Sequence, residues 1–247
     1  MKLAIGIDTG GTYTDAVLYD FETKKILHAA KALTTKNDLC VGIGNALDAL
    51  PDEHFKEVRM LSLSTTLATN ACVEGKGGAA KLVFFNGDKD ILKKYGAEYG
   101  LPPVGEILLE PCHTDISGQI DAYPDWEKFE ADVRENCRGL DGIGVIELYS
   151  FKNGAVIEKE AKERIAKIAD IPVTCGYELF REPNSLQRGA GTLLNAGLYP
   201  VIEDFLRAVR RAMQKRGIDA PVVIMRSDGS LMTESFARMH PVETLLC

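Results

Sequence analysis

The stretch Asp8-Thr-Gly-Gly-Thr-Tyr-Thr-Asp15 gathers, in eight residues, the groups that grip an oxyanion. Gly10 and Gly11 let the backbone approach a ligand closely and permit φ > 0, so a turn here can aim its N–H groups at an anion. The hydroxyls of Thr12 and Thr14 add donors. Asp8 falls at the end of an apolar run and can hold a magnesium ion directly or through water. The pattern predicts a phosphate-binding hairpin. It is not a P-loop, because no Gly-x-x-x-x-Gly-Lys-Ser/Thr occurs, and it is not the dinucleotide fingerprint, because no Gly-x-Gly-x-x-Gly follows a strand. An ordinary hairpin whose glycines only make the turn is the bland alternative.

Two further stretches carry chemistry. Ser64-Thr-Thr-Leu-Ala-Thr-Asn70 follows the strand-like run Val58–Leu63. A strand entering a hydroxyl-rich helix start places free N–H groups and the side chains of Thr65, Thr66 and Asn70 at the carboxyl edge of a sheet, where α/β proteins bind ligands. Plain capping by Ser64 or Thr65 is the competing explanation. Asp228-Gly229 follows the buried strand Val222–Arg226 and either faces the same cleft or makes a tight turn.

The elements that must position these groups are legible in the periodicity. Leu3, Ile5 and Ile7 alternate before the turn, Ala16–Tyr19 resume the apolar run after it, and Lys25–Lys31 read as a third strand, an antiparallel meander. Asn37 or Asp38 is expected to cap a helix striped by Leu39, Ile43, Leu47 and Leu50. Residues 80 to 175 read as repeated αβ units, with a loop predicted over residues 111–125. A long amphipathic helix follows Thr192-Leu-Leu-Asn-Ala196, and Pro200 is expected to kink or split it. The basic residues Arg207, Arg210, Arg211, Lys215 and Arg216 read as its solvated face. Pro241–Cys247 reads as an apolar strand.

Composition narrows the class. The chain has 247 residues, 45% hydrophobic and 26% charged, and a formal net charge of −7. That is an ordinary globular balance, long enough for one or two domains. The acidic charge argues against a nucleic-acid partner. No apolar run spans a bilayer, and no basic, apolar leader precedes Leu3, so no membrane partner is expected and the location is read as cytoplasmic. Six scattered cysteines include no Cys-x-x-Cys pair and read as small buried hydrophobes.

The hairpin resembles the first phosphate loop of the actin, sugar-kinase and Hsp70 ATPase superfamily. Its Thr-x-Thr-Asp ending, the Ser-Thr-Thr-x-Ala-Thr-Asn stretch, Thr192–Ala196 and Ser227-Asp-Gly are similar to the hydantoinase A / 5-oxoprolinase family. Ser64 stands where that family has glycine, and Gly189-Ala-Gly191 departs from its pattern. The resemblance implies an α/β fold: an actin-like ATPase (ribonuclease H-like) lobe with a mixed sheet, the meander followed by αβ units. It places the N-terminal region with the first phosphate loop at residues 1–175 and the start of the core region at residues 176–247. It implies an ATP-dependent hydrolase that activates the carbonyl of a cyclic amide by phosphorylation, with ATP and Mg²⁺ as cofactors. Asp8 would organise the metal, and Gly10, Gly11, Thr12 and Thr14 would hold phosphate oxygens. Asp15 would brace the loop or share the metal. Thr65, Thr66, Asn70, Asp228 and Gly229 would line the cleft. A second subunit of the hydantoinase B type is implied, and a homo-oligomer is compatible. The chain reads as the front part of such a protein, expected to bind ATP weakly alone and not to turn it over. An ATP-dependent carboxylase subunit and a non-catalytic regulatory lobe are the alternatives; a sugar or acetate kinase fits the motifs less well.

Overall fold

The computed structural model describes residues 2–35 and 38–245. In chain order the elements are β1 (Leu3–Thr9), β2 (Tyr13–Asp20), β3 (Lys25–Leu33), α1 (Leu39–Asp48), β4 (Val58–Thr65), α2 (Leu67–Glu74), β5 (Ala80–Phe85) and α3 (Lys89–Tyr95). Then come β6 (Leu108–Glu110), β7 (His113–Thr114), β8 (Ile120–Ala122), α4 (Trp126–Asn136), β9 (Gly142–Glu147), α5 (Ser150–Asn153), α6 (Val156–Ile168), β10 (Val173–Cys175) and α7 (Gly176–Leu179). The chain continues with α8 (Ser185–Gln214), β11 (Val222–Met225), β12 (Leu231–Thr233) and α9 (Glu234–Met239). The expected fold class holds: a mixed α/β architecture that opens with an antiparallel meander.

Two compact units form, one from residues 1–77 and 200–247, the other from residues 78–199. A boundary at residue 175 follows the order of the sequence motifs; packing instead makes the first unit discontinuous.

The first unit is built on a six-stranded sheet of order β12-β11-β4-β1-β2-β3. β2 and β3 pair antiparallel, as do β1 and β2, while β4 runs parallel to β1 and β11 parallel to β4. Alternate residues Leu3, Ile5 and Ile7 join Leu61 and Leu63 in one core with Ile43 and Leu47 of α1 and Phe205 of α8. Each such side chain contributes roughly 1.5–3 kcal/mol on burial. Asp38 starts α1 by accepting the Cys40 N–H; Asn37, the other expected cap, lies outside the described residues. Of the basic residues on α8 and just past its end, Arg207, Arg211 and Lys215 are exposed as expected, and Arg210 and Arg216 are half-buried. The Arg216 side chain is only 13% exposed and grips both carboxylate oxygens of Asp48 and the Gly44 carbonyl. Arg210 pairs with Glu234.

The second unit holds a four-stranded parallel sheet of order β10-β9-β5-β6. All six residues of β9 are buried. Ile143 and Val145 pack with Phe129, Val133, Ile157 and Ile165 of α4 and α6. The opposite face of β9 meets α8: a Cβ on Gly142 would lie 2.3 Å from the Ala196 carbonyl oxygen. That close approach has a sequence cause. Pro200 has no N–H to give the carbonyl four residues back, which is that of Ala196, and the freed oxygen rests against the bare Gly142 Cα. Gly191 is fixed similarly, since its Cβ would lie 2.2 Å from the Phe180 ring.

A polar knot is buried in this unit. Arg188, 1% exposed, donates to Ser150 Oγ (2.7 Å) and to the carbonyls of Glu147 (3.0 Å) and Leu148 (2.8 Å). It lies 3.6 Å from the Glu158 carboxylate. Glu158, fully buried, accepts the N–H groups of Glu147 and Tyr177. Burial pushes its carboxyl above the usual range, opposed by Ser150, those two amides and the Arg188 charge.

Three expectations are corrected. Residues 111–125 contain the two-stranded hairpin β7–β8, whose Asp115 side chain organises the turn by accepting from Ser117 and Gln119. Of the kink or split expected at Pro200, the split does not occur, since the helix runs unbroken over Ser185–Gln214. Pro241–Thr244 is a 3₁₀ turn and not a strand, with Thr244 Oγ1 donating to the Pro241 carbonyl; residues 246 and 247 lie outside the described residues.

Candidate phosphate-binding site

The turn between β1 and β2 stands at the carboxyl end of β1 and of its parallel neighbour β4. Gly10 closes it by donating to the Tyr13 carbonyl at 2.9 Å. The Gly11 and Thr12 N–H groups have no partner among the described residues. Neither Gly10 nor Gly11 adopts positive φ, so conformational freedom is not what selects glycine here. Space is: a Cβ on Gly11 would stand 3.3 Å from Asn70 Nδ2 and one on Gly10 3.3 Å from the Tyr13 carbonyl oxygen.

Strand register explains the carboxylates. Asp8 faces Asp15 across β1–β2, Ser64 across β1–β4, and Asp15 faces Lys31 across β2–β3. Directly paired residues share a sheet face, so Ser64, Asp8, Asp15 and Lys31 form one polar row. Asp8 is exposed. Lys31 Nζ sits 3.0 Å from Asp15 and partly neutralises the pair. Ile7 and Thr9 point the other way, into the core.

The hydroxyls divide into two groups. Thr12 is exposed beside the free amides. Thr14 is fully buried, and its hydroxyl is bonded to Thr34 Oγ1 at 3.0 Å, which in turn donates to the Gly10 carbonyl at 2.9 Å. Its observed task is therefore to brace the turn from within. Thr65 is buried too: its hydroxyl donates to the Thr9 carbonyl at 3.1 Å and accepts the Leu67 N–H at 3.1 Å, so it opens α2 and ties it to β1. Thr66 and Asn70 are half-buried, with Asn70 Nδ2 donating to Thr66 Oγ1 at 3.3 Å.

Asp228 and Gly229 lie at the end of β11, which runs parallel to β4 and so reaches the same sheet edge. They form the turn of the β11–β12 hairpin, with Gly229 at φ +81°. Asp228 accepts from both the Ser230 amide and hydroxyl, which holds its carboxyl below the usual carboxylate range.

Thr9, Thr34 and Lys31 were not singled out from the sequence. Thr9 Oγ1 is buried with no partner among the described residues, one residue after Asp8. The signal for Lys31 was the meander itself, since its register puts Lys31 opposite Asp15. These residues suit a phosphate with a divalent cation. Two unpaired amides at a turn are the donors an anion needs. Among the described residues no group of three or more His, Cys, Asp or Glu could hold a metal. One or two carboxylates beside phosphate oxygens is the way magnesium is bound with nucleotides. No helix among the described residues is long and apolar enough to cross a membrane.

Known proteins match the chain along most of its length. Residues 4–169 match the hydantoinase/oxoprolinase N-terminal region and residues 188–247 match the hydantoinase/oxoprolinase region. The chain is 26% identical over 267 residues to the caprolactamase subunit alpha of Pseudomonas jessenii, covering 98% of this chain and 38% of that protein. It is 27% identical over 262 residues to the acetophenone carboxylase gamma subunit of Aromatoleum aromaticum, covering 92% of this chain and 35% of that one. The crystal structure of the ATP-dependent caprolactamase from Pseudomonas jessenii superimposes with a TM-score of 0.76 at 23% identity, over 98% of this chain and 38% of that chain. The chain thus spans well under half the length of these relatives. With two thirds of its residues inside the first matched region, the chain belongs to the hydantoinase/oxoprolinase family.

Proposed function

We propose that this chain supplies the first phosphate grip of an ATP-dependent enzyme that hydrolyses a cyclic amide. The observation that carries the reading is the pair of unpartnered amides, Gly11 and Thr12, at a turn flanked by the exposed Asp8. MgATP, when bound, supplies the phosphoryl group that turns an amide carbonyl oxygen into part of a good leaving group. The chain's own contribution is positioning and charge neutralisation. The Gly11 and Thr12 amides and the Thr12 hydroxyl hold phosphate oxygens, and Gly10 sets the turn that presents them. Asp8 holds Mg²⁺, and Asp15 shares its water shell while Lys31 limits the repulsion between the two carboxylates. Thr14 and Thr65 keep the turn rigid from below. Thr66, Asn70 and the Asp228–Gly229 turn line the same edge. A second subunit of the hydantoinase B type completes the enzyme in this reading.

The test is a titration of a slowly hydrolysed MgATP analogue into the chain, followed by ³¹P NMR. One turn offers few donors, so binding is expected in the weak, millimolar regime, with no turnover. Asp8→Ala should weaken it at least tenfold. Equal binding by both proteins, or none by either, overturns the assignment. The likeness to the acetophenone carboxylase subunit supports a second reading, in which the same grip activates a ketone or bicarbonate. Carboxylation of a ketone by the complete enzyme, without lactam hydrolysis, would select it.

A further inference from the structure

Beside the turn the first unit contains a cavity of about 220 Å³. Its walls are Leu39 of α1, Leu67 and Ala71 of α2, Val201 of α8, and, toward the turn, Gly11 and Asn70. We infer that this cavity holds the hydrocarbon part of an uncharged ring-shaped carbonyl substrate and sets which substrates are accepted. The inference rests on the phosphate-grip reading above, since Gly11 is common to both: it lines the cavity and belongs to the turn with the free amides.

Three features select the occupant. The first is size: a 150 Å³ apolar cavity is known to accept a benzene ring, so about 220 Å³ has room for a ring of six or seven atoms. The second is polarity. Four aliphatic side chains line it, with Asn70 and Thr34 and the turn at Gly11 among the polar groups. A molecule with an apolar body and a single polar end fits that lining. The third is charge. Among the described residues the charged side chains lining the cavity are Glu74 and Lys76, and these pair with each other at 2.6 Å. A substrate carboxylate would meet no uncommitted cation among the described residues and would be desolvated against leucine and valine. The cavity therefore favours a neutral cyclic amide over one bearing a carboxylate.

The experiment is ligand-observed NMR on the chain with δ-valerolactam, ε-caprolactam and 5-oxoproline as probes, alongside the MgATP analogue titration. Wild type should bind the two neutral rings at least tenfold more tightly than 5-oxoproline. Ala71→Phe fills the cavity and should weaken both neutral rings at least tenfold with nucleotide binding unchanged. Leu67→Ala enlarges it and should raise the preference for the seven-membered over the six-membered ring by at least threefold. Methyl spectra check that each variant is folded; if Ala71→Phe is not, Leu67→Ala decides. Ring binding that neither folded variant alters, equal binding of 5-oxoproline, or no ring binding at all overturns the inference. Nucleotide binding that survives those results leaves the phosphate grip standing. Loss of the grip alone, with rings still bound and still sensitive to Ala71→Phe, removes only the reading it rests on.

Discussion

Replacing Arg188 by alanine should strip the second unit of most of its stability. The guanidinium makes three hydrogen bonds, to Ser150 Oγ, the Glu147 carbonyl and the Leu148 carbonyl, and it is the cation 3.6 Å from the fully buried Glu158. Truncation leaves Glu158 buried and without its counter-charge, and breaking such a pair costs about 3–5 kcal/mol. That is a fall of roughly 10–20 °C in the melting temperature of a domain of this size. The assay is built in. Trp126 is the only tryptophan in the sequence, and it packs against Phe85 and Phe129 in the second unit's core. Urea unfolding followed by Trp126 emission therefore reports on that unit. The pH dependence fixes the cause. The Glu158 carboxyl is already raised by burial, and Arg188 is one of the groups holding it down. A raised carboxyl contributes most below its ordinary range and loses that contribution as pH rises through its folded value. Removing Arg188 raises it further, so the deficit of the variant should be smaller in mild acid than at neutral pH. The double variant Arg188→Met, Glu158→Leu should recover most of the loss, because no charge is then stranded. A loss below about 1 kcal/mol, the size of an exposed ion pair, or a deficit independent of pH, refutes the account.

Gly142→Ala should cost about 1–3 kcal/mol by overpacking, because its Cβ would stand 2.3 Å from the Ala196 oxygen; the same Trp126 titration measures it. Asp38→Ala removes the cap of α1 and should cost about 1 kcal/mol, read in the thermal melt, with Asp38→Asn close to wild type. Glu110 is 3% exposed, has an unpartnered oxygen, and is pushed by burial above the usual carboxylate range. Glu110→Gln should therefore gain on wild type as pH rises from 4 to 7, and a constant or reversed difference across that range contradicts the burial account.

The hairpin, the meander and the order of the αβ units were legible because alternating apolar residues fix which face of a strand is buried. Asp8 at an exposed position opposite Asp15 follows from that alternation once the register is known. The roles of Thr14 and Thr65 were not legible. Composition marks a hydroxyl as a donor, whereas only the backbone path brings Thr34 within 3.0 Å of Thr14 and the Thr9 carbonyl within reach of Thr65. Asn195 is a polar residue within an apolar helical stretch, a position whose role the sequence leaves open. It is fully buried and donates to Thr174 Oγ1, which bonds the Tyr199 hydroxyl, so its role is internal. Nothing local in the sequence announces that the Arg188 cation will be buried. The discontinuity of the first unit was equally hidden, because the pairing of β11 with β4 leaves no mark in either segment.

That pairing has a consequence for biosynthesis. Leu61 meets Val222 and Leu63 meets Ile224, so β4 emerges from the ribosome long before the strand that will cover its open side. Residues 78–199 form an uninterrupted stretch and can complete their own sheet while translation proceeds. During that interval the nascent β4 presents unpaired main-chain groups on a strand rich in leucine, the kind of edge on which other chains nucleate aggregates. Closure by β11 demands the longest loop in the sheet and so should be the slow step of maturation.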